Sequence, residues 1–121
     1  VARLATVSPA GEPHLVPVVF AVVGSTVVTA VDHKPKSTTR LRRLANIASS
    51  PAVCLLVDEY DEDWAQLWWA RADGAARVVA SAPGELVEAL LARYPQYAEH
   101  RPAGPFILVD VRRWSGWSAA E

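Results

Sequence analysis

Lys34, Lys36, Arg40, Arg42 and Arg43 place five of the chain's twelve Lys and Arg within ten consecutive positions, and no acid stands between Asp32 and Asp58. His33, Ser37, Thr38 and Thr39 lie among these cations, and Asn46 follows them. Upstream is the largely apolar run Val27 to Val31. Downstream, Leu41, Leu44, Ala45 and Ala48 recur at the i, i+3, i+4, i+7 spacing of one buried helical face. The cluster therefore falls where a strand gives way to a helix. At a helix start unpaired N–H groups point outward and the dipole is positive, so added cations and hydroxyls suit an anion. Cations there cost the helix about 0.3–1 kcal/mol each, which sets this cluster apart from an ordinary solvated face. Phosphate binding is the chemistry expected.

Ser37 and Thr38 can cap the helix and still donate to a phosphate, since a hydroxyl both donates and accepts. Asn46 is open between bonding nearby backbone and meeting a ligand. His33 adjoins the cluster and can add charge to it. His14 and His100 stand apart from it, as a residue opening a strand and a residue in a polar loop. Three His and one Cys show no zinc spacing, and Asp58 to Asp63 lacks the Gly and closing Glu of a calcium loop, so no metal site is expected. There is no Gly-x-Ser-x-Gly, no triad and no paired catalytic carboxylates, so no side chain is assigned as catalytic. Cys54, inside an apolar run, is expected to be a core thiol.

The elements that must position the cluster follow from pattern and punctuation. Val1 to Val7, His14 to Val23 and Thr26 to Val31 form three strands joined by Ser8–Pro13 and by the two-residue turn Gly24-Ser25. The helix from Ser37 ends before Pro51. Ala52 to Val57 is a fourth strand, Gln66 to Ala80 a fifth, bent or bulged at Gly74, and residues 105 to 113 a last one. Leu86, Val87, Leu90, Leu91 and Tyr94 mark a second amphipathic helix between Pro83 and Pro95. Six antiparallel strands and two helices, without strict alternation, predict a mainly β chain: a small closed or split β-barrel with helices plugging its ends.

With 121 residues the chain fits a single domain over 1–121. A hydrophobic share of 51% against 21% charged excludes a disordered chain, and a net charge of −1 argues against nucleic acid as a partner. No run approaches the roughly 18 apolar residues of a membrane span, and no signal peptide is visible, so a cytoplasmic protein without membrane contact is expected. The chain opens without Met inside a strand-like pattern, from which a missing natural N-terminus is expected.

Four features in order carry a resemblance. They are Asp32, Lys34, Pro35 and Lys36; then Arg43-Leu44-Ala45-Asn46-Ile47 with Pro51-Ala52-Val53 after a short spacer; then Trp68-Trp69 before Arg71-Ala72-Asp73-Gly74; and last Trp114-Ser115-Gly116-Trp117. Together they resemble the pyridoxamine 5'-phosphate oxidase-like, FMN-binding split β-barrels, in the branch of deazaflavin (coenzyme F420)-dependent oxidoreductases. The family more often has Lys where Arg43 stands, which keeps the charge but presents a planar fork.

The resemblance implies a homodimer with two cofactor sites between protomers, the phosphate side at the junction and the ring against the barrel. The cofactor-binding residues expected are therefore His33, Lys34, Lys36, Ser37, Thr38, Arg40, Arg43 and Asn46, with Trp69 and Trp117 beside the ring. Five Trp are many for so small a core, and aromatics favour interfaces and planar ligands. Trp68 and Trp69 point to opposite faces of one strand, so at most one faces the interior. The implied activity is hydride transfer between coenzyme F420 and a small planar conjugated substrate. Two alternatives stay open: an FMN-dependent enzyme of the same fold, and a non-enzymatic module that holds a cofactor or tetrapyrrole. The Lys-Pro-Lys segment favours the deazaflavin, whose anionic tail has more charge to neutralise.

Overall fold

The computed structural model describes residues 1–31 and 38–120. Seven strands are found among them: β1 (Ala2–Val7), β2 (Pro13–Val18), β3 (Ala21–Val23), β4 (Thr26–Ala30), β5 (Ala52–Glu59), β6 (Trp68–Val79) and β7 (Phe106–Ser118). Helices α1 (Thr38–Ser49), α2 (Gly84–Arg93) and the single turn α3 (Gln96–Glu99) complete the set, with a 3-10 turn at Trp64–Gln66.

All strands join one antiparallel sheet in the order β2-β1-β5-β6-β7-β4-β3. The two outermost strands are consecutive in the chain, separated only by Val19 and Phe20. The sheet thus closes on itself as a split barrel, with the split at that corner. Here the sequence expectation of one strand from His14 to Val23 is corrected. Its first half pairs with β1 and its second with β4, and one run cannot serve both edges without turning between them. The strand count is therefore seven rather than six.

Alternation sorts the side chains into two cores. Leu4, Val27, Val53, Leu55, Ile107 and Val109 point into the barrel, where Ile47 and Leu44 of α1 meet them. Each fully buried Leu, Ile or Val contributes about 1.5–3 kcal/mol. Val28, Phe106 and Leu108 point the other way and pack under Leu86, Val87 and Leu90 of α2. Cys54 is half-buried on the outer face of β5, not in the core as expected, because its neighbours Val53 and Leu55 take the inward positions.

The predicted irregularity at Gly74 is present: the β6–β7 register shifts between Asp73 and Gly74, which face Arg113 and Val111. A Cβ on Gly74 would run into the backbone carbonyl of Asp110, so only glycine admits this approach. Beyond the bulge β7 runs five residues past the predicted end, to Ser118, and carries both of its Trp within the sheet. Helix α1 stops as predicted before Pro51, with the Ser50 N–H returning to the Asn46 carbonyl at 2.7 Å. No described helix is long and apolar enough to cross a membrane.

Candidate cofactor site

β4 ends at Ala30, α1 begins at Thr38, and the cationic segment joins them. Of the residues expected to bind, His33, Lys34, Lys36 and Ser37 lie outside the described residues, as do Asp32 and Pro35. Thr38 and Arg40 lie in the first turn of α1, which contains no acid. Arg42 is exposed, Arg43 half-buried and Asn46 buried.

Helix α1 lies against the end of the barrel where Thr6 of β1 pairs with His14 of β2. The Asn46 amide donates to the Thr6 hydroxyl at 3.1 Å, and both residues are almost fully enclosed. His14 is half-buried, and its Nδ1 has no hydrogen-bond partner among the described residues. Burial lowers its pKa from the ordinary 6.5, and the charges of Arg42 and Arg43 lower it further. A positive field therefore reaches from α1 onto the β1–β2 hairpin. Composition and spacing gave no place for Thr6 or His14 in this site, since only the hairpin register brings them beneath the helix.

The aromatic residues divide differently from the cations. Trp69 faces Trp117 across the β6–β7 ladder, and Trp68 faces Ser118. The two consecutive Trp do point to opposite faces. Trp68 donates through Nε1 to Glu59 at 3.0 Å, whereas Trp69 lines an open groove of about 410 Å³ with Leu56, Asp58, Tyr60 and Arg71. Trp114 and Trp117 are not one aromatic pair: three residues apart on a strand, they fall on opposite faces. Trp114 borders a small recess of about 50 Å³ with Phe20, Ala70 and Ala72.

Register also separates the two groups. Ala30, the base of the junction, pairs with Phe106, which pairs with Val79, while Trp69 and Trp117 stand at the other end of the same ladder. At about 3.3 Å per residue those ends are roughly 30 Å apart along β6. The structure brings Arg43 and Asn46 together on α1 and leaves Trp69 and Trp117 distant from the base of the junction.

In the acidic loop Asp63 caps the 3-10 turn through Ala65 N–H at 3.1 Å, and Asp61 accepts from Asp63 N–H at 2.9 Å. These carboxylates serve the loop itself, and no cluster of metal-ligating side chains is found among the described residues.

A sequence profile described as pyridoxamine 5'-phosphate oxidase matches residues 1–118. The chain belongs to this family. Solved structures share the family fold at low identity. The conserved hypothetical protein Rv2991 from Mycobacterium tuberculosis aligns with a TM-score of 0.71 at 23% identity, covering 98% of this chain and 76% of its own. The heme storage protein HutZ from Vibrio cholerae aligns with a TM-score of 0.70 at 15% identity, covering 97% and 84%. A protein described as an F420 reductase aligns with a TM-score of 0.63 at 24% identity, covering 94% and 87%. Among curated proteins no match is found. At these identities the likeness extends to the fold.

Proposed function

We propose that this chain is a coenzyme F420-dependent oxidoreductase that passes a hydride between the deazaflavin and a small planar conjugated substrate. The observation that carries this reading is the cationic start of α1, an acid-free first turn followed by Arg42 and Arg43, on a helix seated against the barrel by the Asn46–Thr6 bond. It continues a segment in which Lys34, Lys36 and Arg40 add three more cations. A phosphate-bearing group fits that donor set. Lys34, Lys36, Ser37, Thr38, Arg40 and Arg43 would hold its phosphate and anionic tail, with His33 and Asn46 beside them. Bound there, the deazaflavin supplies the hydride chemistry, and the protein binds, orients and excludes water.

The reading includes a homodimer. Trp69 and Trp117 lie on the face of the sheet opposite the core that α1 packs against, since Leu56 beside Trp69 alternates with the core residue Leu55. Trp117 then meets the ring from the partner protomer. The fold likeness to an F420 reductase and the paired lysines favour the deazaflavin over FMN. A second reading, a module that holds a flavin or tetrapyrrole without turning it over, is favoured by the fold likeness to a heme storage protein.

Stopped-flow absorbance separates these readings. Reduced deazaflavin and reduced FMN are offered separately against quinones, enones and bilins. Oxidation of the deazaflavin in a single two-electron step supports the proposal. Turnover with FMN alone assigns the chain to the FMN enzymes, and binding without turnover on every acceptor assigns it to the carriers.

A further inference from the structure

A recess of about 460 Å³ lies between the α2–α3 elbow and the β4 end of the barrel, within the size range of small-molecule sites. Val19 and Val31 form its floor on the barrel side, and Tyr94 and Tyr97 its aromatic wall. His100 and Arg101 stand on its rim, and among the described residues no carboxylate lines it. The wall is held in place before any ligand arrives. The Tyr94 hydroxyl accepts from the Phe20 N–H at 3.1 Å and donates to the Phe20 carbonyl at 3.2 Å. Arg93 sits over the Tyr94 ring at 5.2 Å and donates to the same carbonyl at 2.9 Å. Tyr97 meets Tyr94 edge to face, with ring centroids 6.1 Å apart. Two fixed rings set at 81° form a corner that accepts a planar ring without a loss of side-chain freedom.

The rim decides the polar end of the ligand. Arg101 pairs with Glu88 at 3.0 Å, but both side chains are more than half exposed, so that pair is worth at most about 1 kcal/mol and does not tie the guanidinium down. Its five N–H donors favour a carboxylate held by two parallel bonds, and the His100 imidazole adds a further donor. The geometry points to a second small-molecule site in this recess, one that takes a planar aromatic carboxylate. The ring lies against Tyr94 and Tyr97 and the carboxylate lies at Arg101. This site does not depend on which cofactor the junction holds.

Calorimetric titration of the full chain with 2-naphthoate tests it, repeated with Arg101→Gln, with Tyr97→Ala, and with saturating FMN present. One site per chain is expected, weakened about tenfold or more by Arg101→Gln, because a hydrogen bond to a charged group is lost. Neutral 2-naphthylmethanol should bind more weakly than the acid and be indifferent to Arg101→Gln. Tyr97→Ala should weaken both ligands. Arg101 is exposed, so its substitution leaves the fold intact, and a thermal melt confirms this for each variant. Absence of saturable binding, equal affinity in Arg101→Gln, or displacement of naphthoate by FMN would each overturn the assignment, the last by placing the ligand in the cofactor's own site.

Discussion

Asn46 on α1 donates its side-chain amide to the hydroxyl of Thr6 on β1 at 3.1 Å, forty residues away in sequence, and the two are only 3% and 1% exposed. The bond fixes the helix that carries Arg40, Arg42 and Arg43 against the mouth of the barrel. Asn46 thus acts on the cationic face through position. Replacing it by Ala leaves the Thr6 hydroxyl buried without this donor, so a loss of about 1–3 kcal/mol in unfolding free energy is expected. Adding Thr6→Val to Asn46→Ala should restore part of that loss, because the stranded polar group is removed too. Urea melts of the two single variants and the double variant measure the coupling.

The lysines give a direct test of where the cofactor binds. Lys34 and Lys36 are the only lysines in the chain. Amine-reactive labelling followed by mass spectrometry therefore reports on the junction alone, apart from the α-amino group. Saturating deazaflavin is expected to slow labelling at both positions, and the Lys36→Ala/Arg43→Ala variant to bind about 3 kcal/mol or more weakly, since each charge-assisted bond is worth about 1.5–3 kcal/mol. Unchanged labelling would move the phosphate site away from this segment.

Much of this architecture is legible in the residues, for physical reasons that can be named. The period of Leu41, Leu44 and Ala48 and the stop at Pro51 locate α1, and Gly74 announces the bulge, because each is a local steric demand. The split of the second strand is not local. Between His14 and Val23 only Pro17 interrupts the apolar pattern, and it stays inside β2; closure of the sheet is what requires Val19 and Phe20 to turn the corner. Cys54 reads as a core residue because a uniformly apolar run conceals which alternate positions face inward. The length of β7 was missed because Arg112, Arg113 and Ser115 dilute its pattern; β6 supplies the pairing that extends it. The cations of the site were visible by charge, whereas Thr6 and His14 enter only through the β1–β2 register.

His14 supplies a pH test with a definite sign. Its folded pKa is lowered by burial and by the Arg42 and Arg43 charges, while in the unfolded chain it titrates near 6.5. Above that value both states hold a neutral imidazole and His14 adds no pH dependence. Below it the unfolded chain takes the proton first, so stability falls as the pH drops. His14→Gln should flatten that decline in thermal melts between pH 7 and 5. An anion seated by Arg42 and Arg43 offsets their charge, so NMR titration of the His14 ring should show its pKa rising when inorganic phosphate is added. A pKa that ignores phosphate would separate His14 from the anion site.

The outer face of the sheet carries the last prediction. Trp69, half-buried, stands opposite Trp117, which is 47% exposed, and Leu56 and Tyr60 border Trp69 on the β5 side. In a homodimer this aromatic face meets the partner, so sedimentation at micromolar concentration should give one species of twice the 13.1 kDa chain mass. Such an interface buries more than about 1,000 Å². Trp117→Glu places a charge where an aromatic anchor is expected, and should weaken association by at least about 2 kcal/mol while leaving the far-ultraviolet spectrum unchanged. If the proposed shared site holds, the same variant should weaken cofactor binding in proportion to the loss of dimer. If the dimer dissociates and affinity stays constant, the ring does not rest on Trp117, and the cofactor is held within one chain.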